Sequence, residues 1–179
     1  MATEGWVAGA RRVVSPNCDN RPPGSDVTLL VLHSISLPPG EYGGDAIERL
    51  FTNRLEPAAH ASFAELTGLR VSAHFLVRRD AALIQFVPLH SRAWHAGVSS
   101  WRGRKRCNDY SVGIELEGTD DSPFADAQYD RLAKLGRTLC AVLPIRDLAA
   151  HSDVAPGRKT DPGARFDWAR FLADLARAP

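Results

Sequence analysis

Val27-Thr-Leu-Leu-Val-Leu-His33 is a continuous apolar, β-prone run that stops at an imidazole. Without polar alternation, such a run marks a strand buried on both faces, the kind an α/β sheet contains. The reading predicts that the strand ends at His33, where open α/β sheets place their sites. Alone, His33 reads as a satisfied histidine near the core. A second polar stretch changes its meaning: His151-Ser-Asp-Val-Ala-Pro-Gly-Arg-Lys-Thr-Asp-Pro-Gly163. Pro162 biases Asp161 toward extended geometry. Lys159 and Asp161, two apart, then face the same way, and a Pro156-Gly157 turn brings His151 near them. A histidine and an aspartate are two of the ligands a catalytic zinc accepts, and such a site needs three. The stretch also reads as a polar surface loop holding an ordinary ion pair.

The chain has 179 residues, enough for one domain with a real core and no disulfide or metal staples. It is 44% hydrophobic and 24% charged with a formal net charge of +1, so overall charge advertises neither nucleic acid nor an anionic membrane. Cys18, Cys107 and Cys140 form no C-x-x-C pair, which argues against a disulfide framework or a thiolate zinc knot and for a reducing compartment. Cys140 lies in an apolar helical pattern and is expected in the core. The first residues carry neither a basic n-region nor an apolar h-region, and the 27–32 run is too short to cross a bilayer. A cytoplasmic setting is expected.

Outward from the first strand, Trp6 to Val14 reads weakly as a strand and Ser15 to Gly24 as a turn-rich loop. Asp45, with Glu48 three residues on, predicts a capping box, followed by an apolar helical stripe of Ile47, Leu50 and Phe51. Ser62 to Leu66 reads as a helical turn stopped by Gly68. Val71–Val77 and Ala82–Val87 predict a hairpin with Arg70 at its mouth. Trp94 is a ligand platform or a core plug. His95 is a rival metal ligand. Arg102-Gly-Arg-Lys-Arg106 is a solvated basic loop or a carboxylate reader. Ser111-Val-Gly-Ile-Glu-Leu-Glu117 alternates strictly, with Glu115 and Glu117 on one face beside Gly113, whose missing side chain lets another group approach closely. Taken alone, this pattern favours an edge strand with one solvated face. Asp126 onward predicts an amphipathic helix ended by Pro144, then a short strand over Ile145–Ala150 delivering His151. Asp167 is expected to cap a last helix with the stripe Trp168, Phe171, Leu172 and Leu175.

The stretches Ser15-Pro-Asn17, His33–Gly40, Arg70–His74, Arg92–Gly97, Arg106–Asp109, Gly113–Gly118 and His151–Gly163 run along nearly the whole chain. Together they resemble the zinc-dependent N-acetylmuramyl-L-alanine amidases, whose fold also includes peptidoglycan recognition proteins. Within that family the likeness is greatest to the cytoplasmic type that acts on anhydro-muropeptides in cell-wall recycling. The resemblance implies a single α/β domain over residues 1–179, with a mixed β-sheet flanked by helices. It implies one Zn²⁺ held by His33, His151 and Asp161, with Glu115 and Lys159 as the catalytic pair. It also implies substrate contacts from Arg70, Trp94 and Arg106. An anhydro-muropeptide is the expected partner; nucleic acid, membrane and an obligate protein partner are not expected. Ser34 and Ala150 depart from the asparagine and glycine expected there. A lytic wall amidase, a non-catalytic binding module of the same fold and a non-haem iron oxygenase are the alternatives.

Overall fold

A computed structural model describes residues 4–177. In chain order its strands and α-helices are β1 (Arg11–Arg12), β2 (Cys18–Asn20), β3 (Leu29–Ile35), α1 (Ala46–Phe51), β4 (Phe75–Val77), β5 (Leu83–Gln85), β6 (Ser91–Ala93), β7 (Ser100–Trp101), β8 (Arg104–Lys105), β9 (Ser111–Glu117), α2 (Asp126–Val142), β10 (Asp147–Ala150), α3 (His151–Val154) and α4 (Trp168–Ala176). Six strands form one mixed sheet in the order β1-β5-β4-β9-β3-β10. Only β4 and β5 run antiparallel as neighbours; the other pairs are parallel. The expected α/β fold, a mixed sheet flanked by helices, is what the chain adopts.

Both faces of the sheet are covered, which is why the 27–32 run shows no polar alternation. On one face Leu30, Leu32, Val112, Ile114 and Leu116 pack beneath α2 and α4 through Leu132, Leu139 and Phe171. On the other, Leu76 and Ile84 meet Ile47, Leu50 and Phe51 of α1. Further along that second face Leu29, Val31 and Ala149 pack on Ala96, Cys107 and Tyr110. His33 and Glu115 lie on the second face too, because they alternate with Leu32 and Ile114.

Several expectations give way to tertiary context. β3 continues through His33 to Ile35, since β9 pairs with it all the way to Glu117. β9 is a central strand with all seven residues buried, rather than an edge with a solvated face. Its carboxylates are therefore buried groups that need partners. Asp45 makes no side-chain cap: its carboxylate accepts from Arg49 Nε at 2.8 Å, and Glu48 is drawn off by Arg11 and Arg78. Cys140 is exposed on the outer side of α2, and Leu172 is 48% exposed. Each falls at the margin of its stripe, where the helix has already turned from the core. Only Arg11–Arg12 of the weak N-terminal run forms a strand, and the 71–87 hairpin pairs over just three residues on each side. Asp167 does cap α4, accepting from Arg170 N–H at 2.9 Å.

Glu117 shows how the buried face tolerates charge. It accepts from Arg78 Nη1 at 2.8 Å, from Gly43 N–H at 2.8 Å and from Arg79 N–H at 3.1 Å. Arg78 in turn reaches Glu48 at 2.9 Å. Removing Glu117 leaves the Gly43 and Arg79 N–H groups without this acceptor and Arg78 with Glu48 as its remaining carboxylate, a loss of about 2–4 kcal/mol. Glu117→Ala should therefore be destabilised by roughly that amount in urea unfolding. A loss under about 1 kcal/mol would show that the pair is effectively solvated.

Candidate metal centre

Strand register assembles the site. His33 and Glu115 are direct partners across β3 and β9. Ala150, the last residue of β10, is the partner of Leu32, so His151 follows level with His33. Three adjacent parallel strands thus present His151, His33 and Glu115 side by side at their C-terminal ends. The expected 151–163 loop opens with the short helix α3, and Asp161 comes from the segment after it, which turns at Pro156–Arg158 and is tied back by Ser152 N–H donating to the Asp161 carbonyl at 3.0 Å. Lys159 and Asp161 line one cavity with the two histidines and Glu115, as the loop's reading predicted.

The donor atoms converge. His33 Nδ1 lies 2.9 Å from His151 Nδ1, and Asp161 Oδ2 lies 3.0 Å from His151 Nδ1 and 3.3 Å from His33 Nδ1. These atoms form a group able to hold a metal ion. Tetrahedral donors about 2.0–2.1 Å from a zinc stand roughly 3.3 Å apart, so the donor set and its spacing fit that ion. Behind the ligand atoms, His151 Nε2 donates to the Ala96 carbonyl at 3.3 Å, and Arg158 donates to the same carbonyl. A backbone acceptor on the far nitrogen keeps the near one bare, as a ligand must be.

Glu115 is the contrast to Glu117. It is buried, yet its Oε2 has no hydrogen-bond partner. Burial and the nearby Asp161 charge push its carboxyl well above the ordinary range, with Lys159 opposing. An unsatisfied buried carboxyl beside a metal-ligand cluster is a group set up to exchange a proton. The cavity it faces measures about 210 Å³.

Other candidates fall outside the donor group. His95 lines the same cavity, but its Nδ1 lies 3.0 Å from His33 Nε2, not from the Nδ1 that joins the donors. Arg70 is exposed and lines a neighbouring cavity that shares Leu50 and Leu69 with this one. Arg106 is exposed and pairs with Asp109 at 3.1 Å, and Trp94 is half-buried with Nε1 donating to Asp19 at 3.2 Å. The Ser34 hydroxyl donates to Asp120 at 2.9 Å, and Ala150 N–H donates to Asp153 at 2.8 Å, so both unexpected residues are accommodated. Reading the chain alone missed Ser111 and Arg158 as supports. Gly113 was the available signal for the first: a Cβ there would lie 2.5 Å from the His95 ring.

Two histidines and an aspartate able to hold a metal ion, beside an unpaired buried glutamate, make up the kind of donor set that a hydrolytic site uses. Residues 23–164 match the N-acetylmuramoyl-L-alanine amidase family. The chain belongs to that family and is a hydrolytic amidase. It is 57% identical over 173 residues to the 1,6-anhydro-N-acetylmuramyl-L-alanine amidase AmpD of Escherichia coli K12, covering 96% of this chain and 94% of that one. It superposes on the crystal structure of a selenomethionine AmpD derivative with a TM-score of 0.96 at 55% identity, over 98% of this chain and 99% of the other. It is also similar to the E. coli amidase AmiD in complex with its substrate anhydro-N-acetylmuramic acid-L-Ala-D-γ-Glu-L-Lys. There the TM-score is 0.61 at 31% identity, over 87% of this chain and 60% of the other.

Burial also makes the histidines acid-sensitive. It pushes His33 down to about 4, against an opposing pull from Asp161, and His74 down to about 3, with the Arg21 charge adding to it. His95 is lowered as well, by burial and its histidine neighbours. The unfolded chain protonates these rings near pH ~6.5 while the folded chain resists. Between about 6.5 and 4 the unfolded state binds more protons, so stability is full above that window and falls as pH drops through it. The raised carboxyl of Glu115 acts the other way, one group against three, so the urea midpoint of the metal-free protein should still fall from about pH 6.5 to 4.5. Equal midpoints across that range would mean the rings are not held neutral.

Proposed function

We propose that the chain hydrolyses the amide between the lactyl group of an (anhydro-)N-acetylmuramyl sugar and L-alanine, using one zinc ion held by His33, His151 and Asp161. The observation that carries this reading is the convergence of those three donors beside the unpaired carboxyl of Glu115. Kinship with amidases named for the anhydro sugar points to soluble anhydro-muropeptides as substrate and to cytoplasmic cell-wall recycling as the setting. Residues 1–179 act in this reading as a single zinc amidase domain.

Bound there, zinc would supply a Lewis acid and lower the pKa of a coordinated water to about 7. Glu115 takes the proton of the attacking water and returns it to the departing L-alanine amine. Its raised affinity for a proton suits both halves of that exchange. Lys159 lines the same cavity, close enough for its charge to lower the proton affinity of Glu115. An ammonium near a divalent cation is repelled, so it is useful only where negative charge develops, at the oxygen of the attacked carbonyl. Arg70 and Arg106 enter the proposal as contacts for stem-peptide carboxylates, which a guanidinium fork matches. Trp94 enters as a packing surface for substrate.

Chemistry and metal binding should separate by mutation. Glu115→Gln should keep zinc and lose about 10²–10⁴ in kcat, and Lys159→Ala should lose about 10²–10³. His33→Ala, His151→Ala and Asp161→Ala should each lose zinc, measured by metal analysis. Full zinc retention in one of these removes that residue from the ligand set. A rise in KM alone for Glu115→Gln or Lys159→Ala would make that residue a substrate clamp.

Selectivity tests the setting. The kcat/KM for an anhydro-muropeptide should exceed that for its reducing-end counterpart, and both should exceed release from whole sacculi. Discrimination between the soluble forms need not be large, because one altered ring-oxygen contact is a modest difference unless a buried polar group is left unpaired. Equal rates on the two soluble forms, or faster release from sacculi, would make this a lytic wall amidase.

A further inference from the structure

On the Nε2 side of His33, opposite the donor group, runs a chain of hydrogen bonds that the reaction itself does not use. It starts at the Cys107 carbonyl, which can only accept, and which takes the Ser111 hydroxyl at 2.6 Å. Having given its one proton, Ser111 Oγ can only accept from His95 Nε2, 3.1 Å away. His95 must then carry its proton on Nε2 and leave Nδ1 bare. That bare Nδ1 faces His33 Nε2 at 3.0 Å, so His33 Nε2 is the donor there. A neutral His33 protonated on Nε2 has an unprotonated Nδ1, the atom that joins His151 and Asp161 in the donor cluster. One backbone carbonyl thus sets the direction of every bond in the series.

The surroundings hold this series in place. His95, Ser111 and His33 are all buried, so water does not compete for their hydrogen bonds. The backbone N–H groups of His95 and Ala96 donate to Asn108 Oδ1 at 3.3 and 2.8 Å, anchoring the segment that carries the ring. Gly113 leaves the space the ring fills, since a Cβ there would lie 2.5 Å from His95 Cγ.

We propose that His95, directed by Ser111, is a positioning residue that locks the Nε2–H tautomer of His33 and presents its Nδ1 to the metal before any metal arrives. The proposal rests on the reading of His33 as a zinc ligand and adds what makes it competent. Groups behind a metal ligand are typically worth 10–100-fold in metal affinity.

The tautomer can be read without activity, from imidazole ¹⁵N chemical shifts of the zinc-free full chain. Wild type should show His33 protonated on Nε2. Ser111→Ala frees His95 to reverse, and His33 should then show both tautomers. Zinc affinity, measured by chelator competition, should fall about 10–100-fold in His95→Leu, and less in Ser111→Ala. His95→Gln should recover most of it, because the amide oxygen can accept from His33 while the amide N–H₂ donates to Ser111. If His95→Leu fails to fold, the wild-type and Ser111→Ala spectra still decide. A wild-type His33 protonated on Nδ1, or unchanged zinc affinity in a folded His95→Leu, overturns the inference and leaves the zinc reading standing. A wild type that binds no zinc, with His33 still protonated on Nε2, overturns the zinc reading instead.

Discussion

The parallel pairing of β10, β3 and β9 is the constraint on which the site depends. In a parallel pair, register partners lie side by side with their side chains on one face. The His33–Glu115 pairing therefore cannot be loosened without shifting a strand whose other face packs beneath α2 and α4. A slip of one residue would put Leu32 in the cavity and His33 in the apolar core. The core thus enforces the register, and the register holds the reacting groups together. Asp161 is the one member of the donor group outside this frame, and the turn that follows α3 carries it in.

Burial of the polar face explains how stability and chemistry are divided along β9. Glu117 is saturated by an arginine and two backbone N–H groups, and it helps hold the fold. Glu115, two residues earlier on the same face, keeps an oxygen without any partner. Alternation brings both carboxylates to one side, but only one has neighbours that neutralise it. The same economy appears behind the histidines. His151 leans on a backbone carbonyl, and His33 leans on His95 and Ser111, so that each far nitrogen is engaged and each near one points into the cluster.

Much of this could be read from residues in order. The unbroken apolar run before His33 announced a doubly covered strand, and the proline-punctuated loop announced that Lys159 and Asp161 share a side. The alternation of 111–117 assigned the faces of β9 correctly but misjudged its place, because alternation looks the same on an edge as in a centre whose polar face is internally paired. Gly113 signalled a close approach without saying what approached; it is the His95 ring. Cys140 and Leu172 were misplaced because a helical stripe has a margin, and only packing partners show where the margin falls. Asp45 failed as a cap because Arg49 offered its carboxylate a different bond.

By itself the sequence determined the fold class and the principal helices and strands, because hydrophobic periodicity and turn chemistry are properties of neighbours along the chain; the candidate site residues followed from the likeness of its motifs to a known family. The tertiary structure decided which carboxylate is satisfied and which is bare. It decided that His95 stands behind His33 instead of beside it as a ligand, and that Arg70, Trp94 and Arg106 lie outside the central cavity. Those outcomes turn on hydrogen-bond partners contributed by segments tens of residues apart, and a partner at that distance exists only once the sheet has brought its strands into register.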